Sequence, residues 1–209
     1  MNHKIKNYQL YLVTDENSSV ATLEEALQGG VTMVQLREKN LSSQAFYHKA
    51  LVVQHLTKAY GVPLIINDRL DIALAIKADG VHLGQSDLPV AVARKLLGRD
   101  MIIGASTATV EEALQAKKQG ADYLGVGAMF STSTKKNTRP VSVSTLESII
   151  KAVDMPVVAI GGITEKNLPQ LMHTGLSGIA LVSEILNAQS PKVKAETLRQ
   201  ILNQKGGLL

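Results

Sequence analysis

Short apolar runs recur about every 25 residues along this chain, and each stops at glycine or at a small polar cluster. Between the runs lie stretches whose apolar residues recur at helical spacing, with Lys, Glu or Gln at the other positions. Parallel strands need long crossover connections, and an α-helix is the usual one. The alternation therefore constrains the chain to a fold of parallel strands joined by helices.

The number of these units predicts the architecture. The apolar runs end in 12–15, 34–39, 65–68, 81–84, 102–106, 124–127, 158–162 and 179–183. The helical stretches are 23–28, 42–60, 71–77, 89–97, 110–119, 143–152, 167–173 and 192–203. Eight β units alternating with eight α units predict an α/β fold, the (β/α)₈ TIM barrel.

Chain length agrees with one barrel. Such barrels begin at about 200 residues, so the 209 residues here predict a single domain over 1–209. A doubly wound open sheet is the alternative. It usually has fewer strands and often a glycine fingerprint after the first one, where this chain reads Val13-Thr14-Asp15. In a barrel, we expect the active site at the C-terminal ends of the strands.

Composition favours a cytoplasmic enzyme that acts on small anions. The chain has no cysteine, hence no disulfide or thiol nucleophile, and its first residues are too polar for a secretory signal. No apolar stretch approaches the roughly 20 residues that span a bilayer, so we expect no membrane partner. The net charge of +4 is mild and the aromatic content is 3%, which argues against a nucleic-acid partner.

The second apolar run ends in a polar row. Side chains alternate across a strand, so Gln35, Arg37 and Lys39 share one face. Two cations in a barrel mouth would be costly unless an anion pairs them, and Arg and Lys both suit phosphate oxygens. We therefore predict an anion site. The alternative is a strand end in solvent whose cations pair with Glu38 or Asp15.

Two carboxylates follow the next two runs, at Asp68 and Asp87. Magnesium is commonly held by one or two carboxylates, waters and the substrate's phosphate oxygens. Each residue could instead cap the helix that follows it. Because they converge beside the cationic row, we expect them to bind Mg²⁺.

Later strand exits suit a second anion. Gly162 follows the seventh run and Ser183 the eighth, where these barrels often build a phosphate site from backbone amides, although a tight strand exit is the alternative. The polar loop 131–140 is either a solvated surface loop or a mobile lid that brings Lys135 to a leaving diphosphate. We expect His82 to be a satisfied interior histidine and Tyr123 to be a packing residue.

A series of segments along the chain carries a family resemblance. They are Gln35-Leu36-Arg37-Glu38-Lys39, Asn67-Asp68, 80–85, Ser106, 130–135, 160–163 and Val182-Ser183. The series resembles the thiamine phosphate synthases, also called thiamine-phosphate pyrophosphorylases, over nearly the whole chain. The resemblance implies Mg²⁺-dependent condensation of 4-amino-2-methyl-5-(diphosphooxymethyl)pyrimidine with 4-methyl-5-(2-phosphooxyethyl)thiazole, or its carboxylated form, to give thiamine phosphate and diphosphate.

The resemblance also implies residue roles. Pyrimidine diphosphate contacts would fall on Gln35, Leu36, Arg37, Glu38, Lys39, Asn67, Ser106 and Lys135, of which Arg37, Lys39, Ser106 and Lys135 are the catalytic candidates. The metal ligands would be Asp68 and Asp87. Thiazole phosphate contacts would fall on Thr132, Ser133, Thr134, Gly162, Val182 and Ser183. Two departures are Ala108, where many members have histidine, and Ser131, where proline is frequent.

Diphosphate can leave first and the thiazole nitrogen can then capture the cation, so this chemistry needs no protein nucleophile. A thiazole phosphate isomerase (tautomerase) is one alternative, although it would not need the diphosphate and metal cluster. A non-catalytic phosphate-sensing protein on the same fold is the other. A homo-oligomer is compatible with the sequence.

Overall fold

The computed structural model describes residues 7–132 and 139–203. Eight parallel strands form a closed barrel in chain order, and the first strand pairs with both the second and the eighth. The strands are β1 (Leu10–Val13), β2 (Met33–Leu36), β3 (Leu64–Asn67), β4 (Gly80–Leu83), β5 (Ile102–Thr107), β6 (Tyr123–Val126), β7 (Val157–Ile160) and β8 (Gly178–Leu181). The predicted (β/α)₈ barrel is confirmed.

Helices pack on the outside of the barrel. They are α1 (Val20–Gln28), α2 (Ser43–Ala59), α3 (Leu70–Ile76), α4 (Val90–Leu97), α5 (Val110–Gln119), α6 (Val143–Ala152), α7 (Ser183–Leu186) and α8 (Pro191–Asn203). Helix α1 begins before the predicted 23–28 because the Ser19 side chain accepts a hydrogen bond from the Thr22 amide and caps it there. In the described part of the chain, no helix has both the length and the apolar character of a membrane span.

The predicted helix at 167–173 is wrong. The structure has only a 3₁₀ turn, Leu168–Gln170, between β7 and β8. Asn167 is the reason, because its side chain accepts from the Thr164 amide at 2.8 Å and donates to the Gly162 carbonyl at 2.9 Å. Such side-chain bonds to nearby backbone compete with helix formation. The segment therefore stays tied to the exit of β7.

Strand side chains fall into two sets, as the alternation of a strand requires. One set fills the barrel interior and includes Tyr11, Val13, Met33, Ile65, Ile102, Tyr123, Val158 and Ala180. The other set, which includes Leu12, Val34 and Leu36, packs outward against the helices in one large apolar core. Interior positions near the carboxyl end of each strand consequently face a shared opening.

Helix α8 packs on α1 and β1 on the outside of the barrel. A substitution in this helix tests the packing of the apolar core between the helices and the strands. Leu198 is fully buried. We predict that Leu198→Ala lowers the free energy of unfolding by about 2–5 kcal/mol, because it loses apolar burial and leaves a cavity. On the same helix Val193 is 57% exposed, so Val193→Ala should change it by no more than about 0.5 kcal/mol. Urea unfolding measures both, and equal losses would contradict the assigned packing.

Candidate active site

A cavity of about 790 Å³ opens at the carboxyl ends of the strands, a size typical of small-molecule sites. Its walls come from segments that end or follow most of the strands. Of the predicted site residues, it is lined by Gln35, Arg37, Lys39, Asn67, Asp68, Asp87, Ser106, Thr132, Gly162, Val182 and Ser183. The barrel therefore brings together residues that are far apart in the chain.

Two of the residues with predicted contacts have side chains that are turned away from the cavity. Leu36 belongs to the outward-facing core, and the Glu38 carboxylate pairs with the Lys49 ammonium of α2 at 2.5 Å. Neither side chain lines the cavity, because both occupy the strand face opposite to Gln35 and Arg37. Predicted contacts at Ser133, Thr134 and Lys135, with most of the predicted lid, lie outside the described residues.

One side of the cavity contains a cation and two carboxylates. The Lys39 ammonium pairs with the Asp68 carboxylate, and Asp68 also shares a hydrogen bond with Asp87. Asp68 has a positive φ of 61°, a conformation that is uncommon outside glycine and that concentrates at functional sites. The carboxylate of Asp87 additionally accepts from the Gly84 amide at 2.7 Å. These contacts hold both acids at the rim of the cavity.

The helix-cap interpretation of the two acids is wrong. Helix α3 begins after Arg69 and helix α4 begins after Pro89, and neither start has a side-chain cap. Asp68 and Asp87 are instead turned towards the cavity. Both acids therefore face the cavity and cap neither helix.

Burial and mutual contact shift the pKa values of the two acids in opposite directions. Burial has the largest effect on the pKa of Asp68 and raises it, but the hydrogen bonds with Asp87 and Lys39 outweigh burial and lower that pKa overall. Burial also raises the pKa of Asp87, and the neighbouring Asp68 carboxylate raises it further. The surroundings therefore favour the charged form of Asp68 and disfavour that of Asp87.

The opposite side of the cavity is formed by close backbone contacts. Gly162 has a φ of +63°, and a Cβ added there would lie 2.3 Å from the Ser131 carbonyl oxygen. Only glycine fits this position, so backbone rather than side chain faces the cavity. Ser183 begins α7 after the exit of β8 and lines the same cavity. Gly162 and Ser183, two residues of the predicted phosphate site, thus both border the cavity on this side.

His82 occupies the interior position that the sequence predicts. It is buried, with Nδ1 3.0 Å from the Tyr123 hydroxyl and Nε2 3.0 Å from the Ser106 hydroxyl. Tyr123 is not only a packing residue, because its hydroxyl is hydrogen-bonded within the barrel. The absence of a side chain at Gly125 makes room for His82, since a Cβ there would lie 3.0 Å from the His82 ring.

Two cavity-lining side chains, Arg139 and Gln85, were not among the site residues predicted from the sequence. Arg139 lines the cavity and forms a two-point ion pair with Glu112, with contacts of 2.8 and 2.9 Å. Gln85 donates to the Ser106 carbonyl at 2.6 Å. Gln85 follows a predicted strand, which was an available signal. Arg139 had no such signal, since it lies within the long polar loop 131–140.

The expected Mg²⁺ site rests on two acidic side chains and not on a complete set of protein ligands. Among the residues that the structure describes, no group of three or more His, Cys, Asp or Glu side chains is arranged to hold a metal ion. The chain offers the two carboxylates of Asp68 and Asp87 at this place, beside Lys39. Such a donor set suits a cation that shares its ligands with a substrate.

Comparisons with known proteins show which family the chain resembles. The family model for thiamine monophosphate synthase matches residues 10–185. A thiamine-phosphate synthase of Ruminiclostridium cellulolyticum is 55% identical over 204 residues, which are 95% of this chain and 97% of that protein. A thiamine-phosphate synthase of Clostridium tetani is 48% identical over 209 residues, covering 98% of this chain and 100% of that one.

A solved structure shows the same arrangement of the chain. It is the thiamine phosphate pyrophosphorylase from Pyrococcus furiosus, which superposes with a TM-score of 0.89 at 40% identity and covers 95% of this chain and 97% of its own. The family match, the relatives and the shared fold all extend over nearly the whole chain. This chain therefore belongs to the thiamine monophosphate synthase family.

Proposed function

We propose that the chain joins 4-amino-2-methyl-5-(diphosphooxymethyl)pyrimidine to 4-methyl-5-(2-phosphooxyethyl)thiazole, or its carboxylated form, and releases diphosphate. The observation that carries the proposal is the two-sided cavity. One side contains Arg37, Lys39 and two carboxylates, and the other contains Gly162 and Ser183. Two anionic substrates can therefore be bound with their reacting ends facing each other between the sides.

The diphosphate side is suited to a leaving group that gains charge. Arg37 offers a planar fork for phosphate oxygens and Lys39 a compact charge, so both attract the departing diphosphate more strongly as its charge grows. Ser106 lines the same cavity, and its hydroxyl can donate to the pyrimidine diphosphate. These residues bind and orient, and none has to form a covalent bond.

Magnesium fits the acidic pair. Asp68 and Asp87 share a hydrogen bond at the rim, and a divalent cation can take the place of the proton between two such carboxylates. When bound there, Mg²⁺ would neutralise charge on the diphosphate oxygens. Lys39, already paired with Asp68, would keep that carboxylate ionised and oriented.

The thiazole phosphate side works through the backbone. Amide groups near Gly162 and at the start of α7 can donate to phosphate oxygens, and the Ser183 hydroxyl adds a further donor. Thr132 lines the cavity near this side. Because this phosphate takes no part in bond changes, its site anchors the thiazole and leaves the ring nitrogen free to react.

The bond changes balance without a protein nucleophile. The methylene–oxygen bond of the pyrimidine substrate breaks, and its electron pair leaves with the diphosphate. The amino group of the pyrimidine supplies electron density to the resulting cation. The thiazole nitrogen then donates its lone pair to the methylene carbon. The protein contributes position, charge and exclusion of water.

The decisive experiment for the reaction is diphosphate release. Mixing the protein with both substrates and Mg²⁺ should release diphosphate and thiamine phosphate in equal amounts. Each substrate alone is the control and should release almost none. Binding of both substrates without release would identify a phosphate-sensing protein instead, and conversion of the thiazole phosphate alone would identify an isomerase.

Metal binding is tested at the two acids. We predict that Asp68→Ala and Asp87→Ala each lower kcat by about two orders of magnitude, as the loss of one charge-stabilising group typically does. Thermal unfolding should be nearly unchanged, because neither side chain is in the core. Asp71→Ala is the matched control, since Asp71 is an exposed acid of α3 paired with Arg69. Near-normal turnover of either variant at limiting Mg²⁺ would exclude that residue as a ligand.

The two-anion assignment predicts different kinetics at the two sides. Arg37→Ala should raise KM for the pyrimidine diphosphate and also depress kcat, because its charge follows the leaving group into the transition state. Ser183→Ala should mainly raise KM for the thiazole phosphate. Steady-state kinetics with each substrate varied in turn measures both. Equal effects of both substitutions on both substrates would overturn the assignment.

A further inference from the structure

A continuous chain of hydrogen bonds crosses the barrel interior beneath the cavity. Gln35 Nε2 donates to the Tyr11 hydroxyl at 2.6 Å, and that hydroxyl lies 2.9 Å from the Tyr123 hydroxyl. The Tyr123 hydroxyl lies 3.0 Å from His82 Nδ1, and His82 Nε2 lies 3.0 Å from Ser106 Oγ. This series of hydrogen bonds therefore connects Gln35 on β2 with Ser106 on β5 through Tyr11, Tyr123 and His82, which the proposed reaction does not use. Tyr11 and His82 also line the cavity.

The direction of the donors in this series of hydrogen bonds is set by the Gln35 amide, which is oriented with Nε2 on the Tyr11 oxygen. Because the Tyr11 oxygen accepts from Gln35, its own proton is best placed on the Tyr123 oxygen. The Tyr123 proton then goes to His82 Nδ1, and the imidazole carries its proton on Nε2. In the reverse order, Gln35 and Tyr123 would both donate to Tyr11, and the buried Tyr11 proton would have no acceptor within the chain, which is costly.

Both tyrosines are suited to act as donors. Burial raises the pKa of Tyr11 well above its ordinary value, and burial raises the pKa of Tyr123 likewise. Both hydroxyls therefore keep their protons at neutral pH. In the donor order Gln35, Tyr11, Tyr123, His82, each tyrosine hydroxyl proton is donated to an acceptor within the series of hydrogen bonds.

A glycine on the neighbouring strand makes room for the central bond. A Cβ added at Gly104 would lie 2.4 Å from the Tyr123 hydroxyl oxygen and 2.5 Å from His82 Nδ1. No side chain larger than hydrogen fits there without breaking the contact between Tyr123 and His82. The barrel interior is thus shaped around this hydrogen bond.

We propose that Tyr123 is a positioning residue that fixes the tautomer of His82 and thereby leaves the Ser106 hydroxyl proton to the substrate. With its proton on Nε2, His82 donates to Ser106 Oγ and orients that oxygen. Ser106 then donates its own proton into the cavity. With the opposite tautomer, Ser106 would donate to His82 and would be lost as a donor to the ligand.

The tautomer is measured by ¹⁵N NMR of the histidine side chains at pH 8, with His82→Gln used to identify the His82 signals. The wild-type protein should show a single neutral form with the proton on Nε2. Tyr123→Phe keeps the ring but removes the hydroxyl, so His82 should become a mixture of the two tautomers. A wild-type proton on Nδ1, or an unchanged tautomer in Tyr123→Phe, would overturn the proposal.

The effect of Tyr123 on the reaction is measured by steady-state kinetics. Of the two measurements, this one alone rests on the proposed synthase reaction. Tyr123→Phe should lower kcat between about 10- and 100-fold, the range typical of lost support behind a functional group. Tyr8→Phe is the matched control, because the Tyr8 ring lies 5.5 Å from that of Tyr123 but its hydroxyl is outside the chain of donors. It should change neither kcat nor the tautomer.

The NMR and kinetic measurements together distinguish the positioning role of Tyr123 from the proposed synthase reaction. A mixed tautomer in Tyr123→Phe together with unchanged kcat would overturn the positioning role. If the wild-type protein releases no diphosphate but the tautomers behave as stated, the hydrogen-bond order is upheld and the proposed reaction fails. The wild-type NMR result is informative even if Tyr123→Phe does not fold.

Discussion

Closure of the sheet, through the parallel pairing of β1 with β8, is the constraint on which the rest of the structure depends. Once the sheet is closed, the eight strands share one carboxyl rim, and residues as distant in sequence as Lys39 and Ser183 line one cavity. Closure also fixes an inside and an outside for each strand. The site and the core are therefore two consequences of one backbone arrangement.

The alternation of side chains along β2 shows how closely the site and the core are related. Gln35 points inward and joins the polar chain of the interior, whereas Leu36 points outward and packs against the helices. A shift of one residue in strand register would exchange these side chains and would expose the core face while burying the functional one. The buried tyrosines and His82 add a second requirement, because every interior polar group must find its partner at the correct register.

The sequence predicted the features that depend on local pattern. Eight strands, most helices and the cavity positions of Arg37 and Asp68 follow from periodicity and from strand exits. It did not predict contacts made between distant strands. The bond between Tyr11 and Tyr123 joins residues 112 positions apart, and no spacing rule encodes it. The helix expected at 167–173 failed because propensity does not include the side-chain bonds of Asn167.

The central claim is that one cavity holds two anions at opposite sides. A crystal structure of the protein with diphosphate, Mg²⁺ and thiazole phosphate tests it directly. The account predicts diphosphate against Arg37 and Lys39, the metal against Asp68 and Asp87, and the thiazole phosphate against Gly162 and Ser183. Binding of both anions at one position, or of the metal away from both carboxylates, would contradict it.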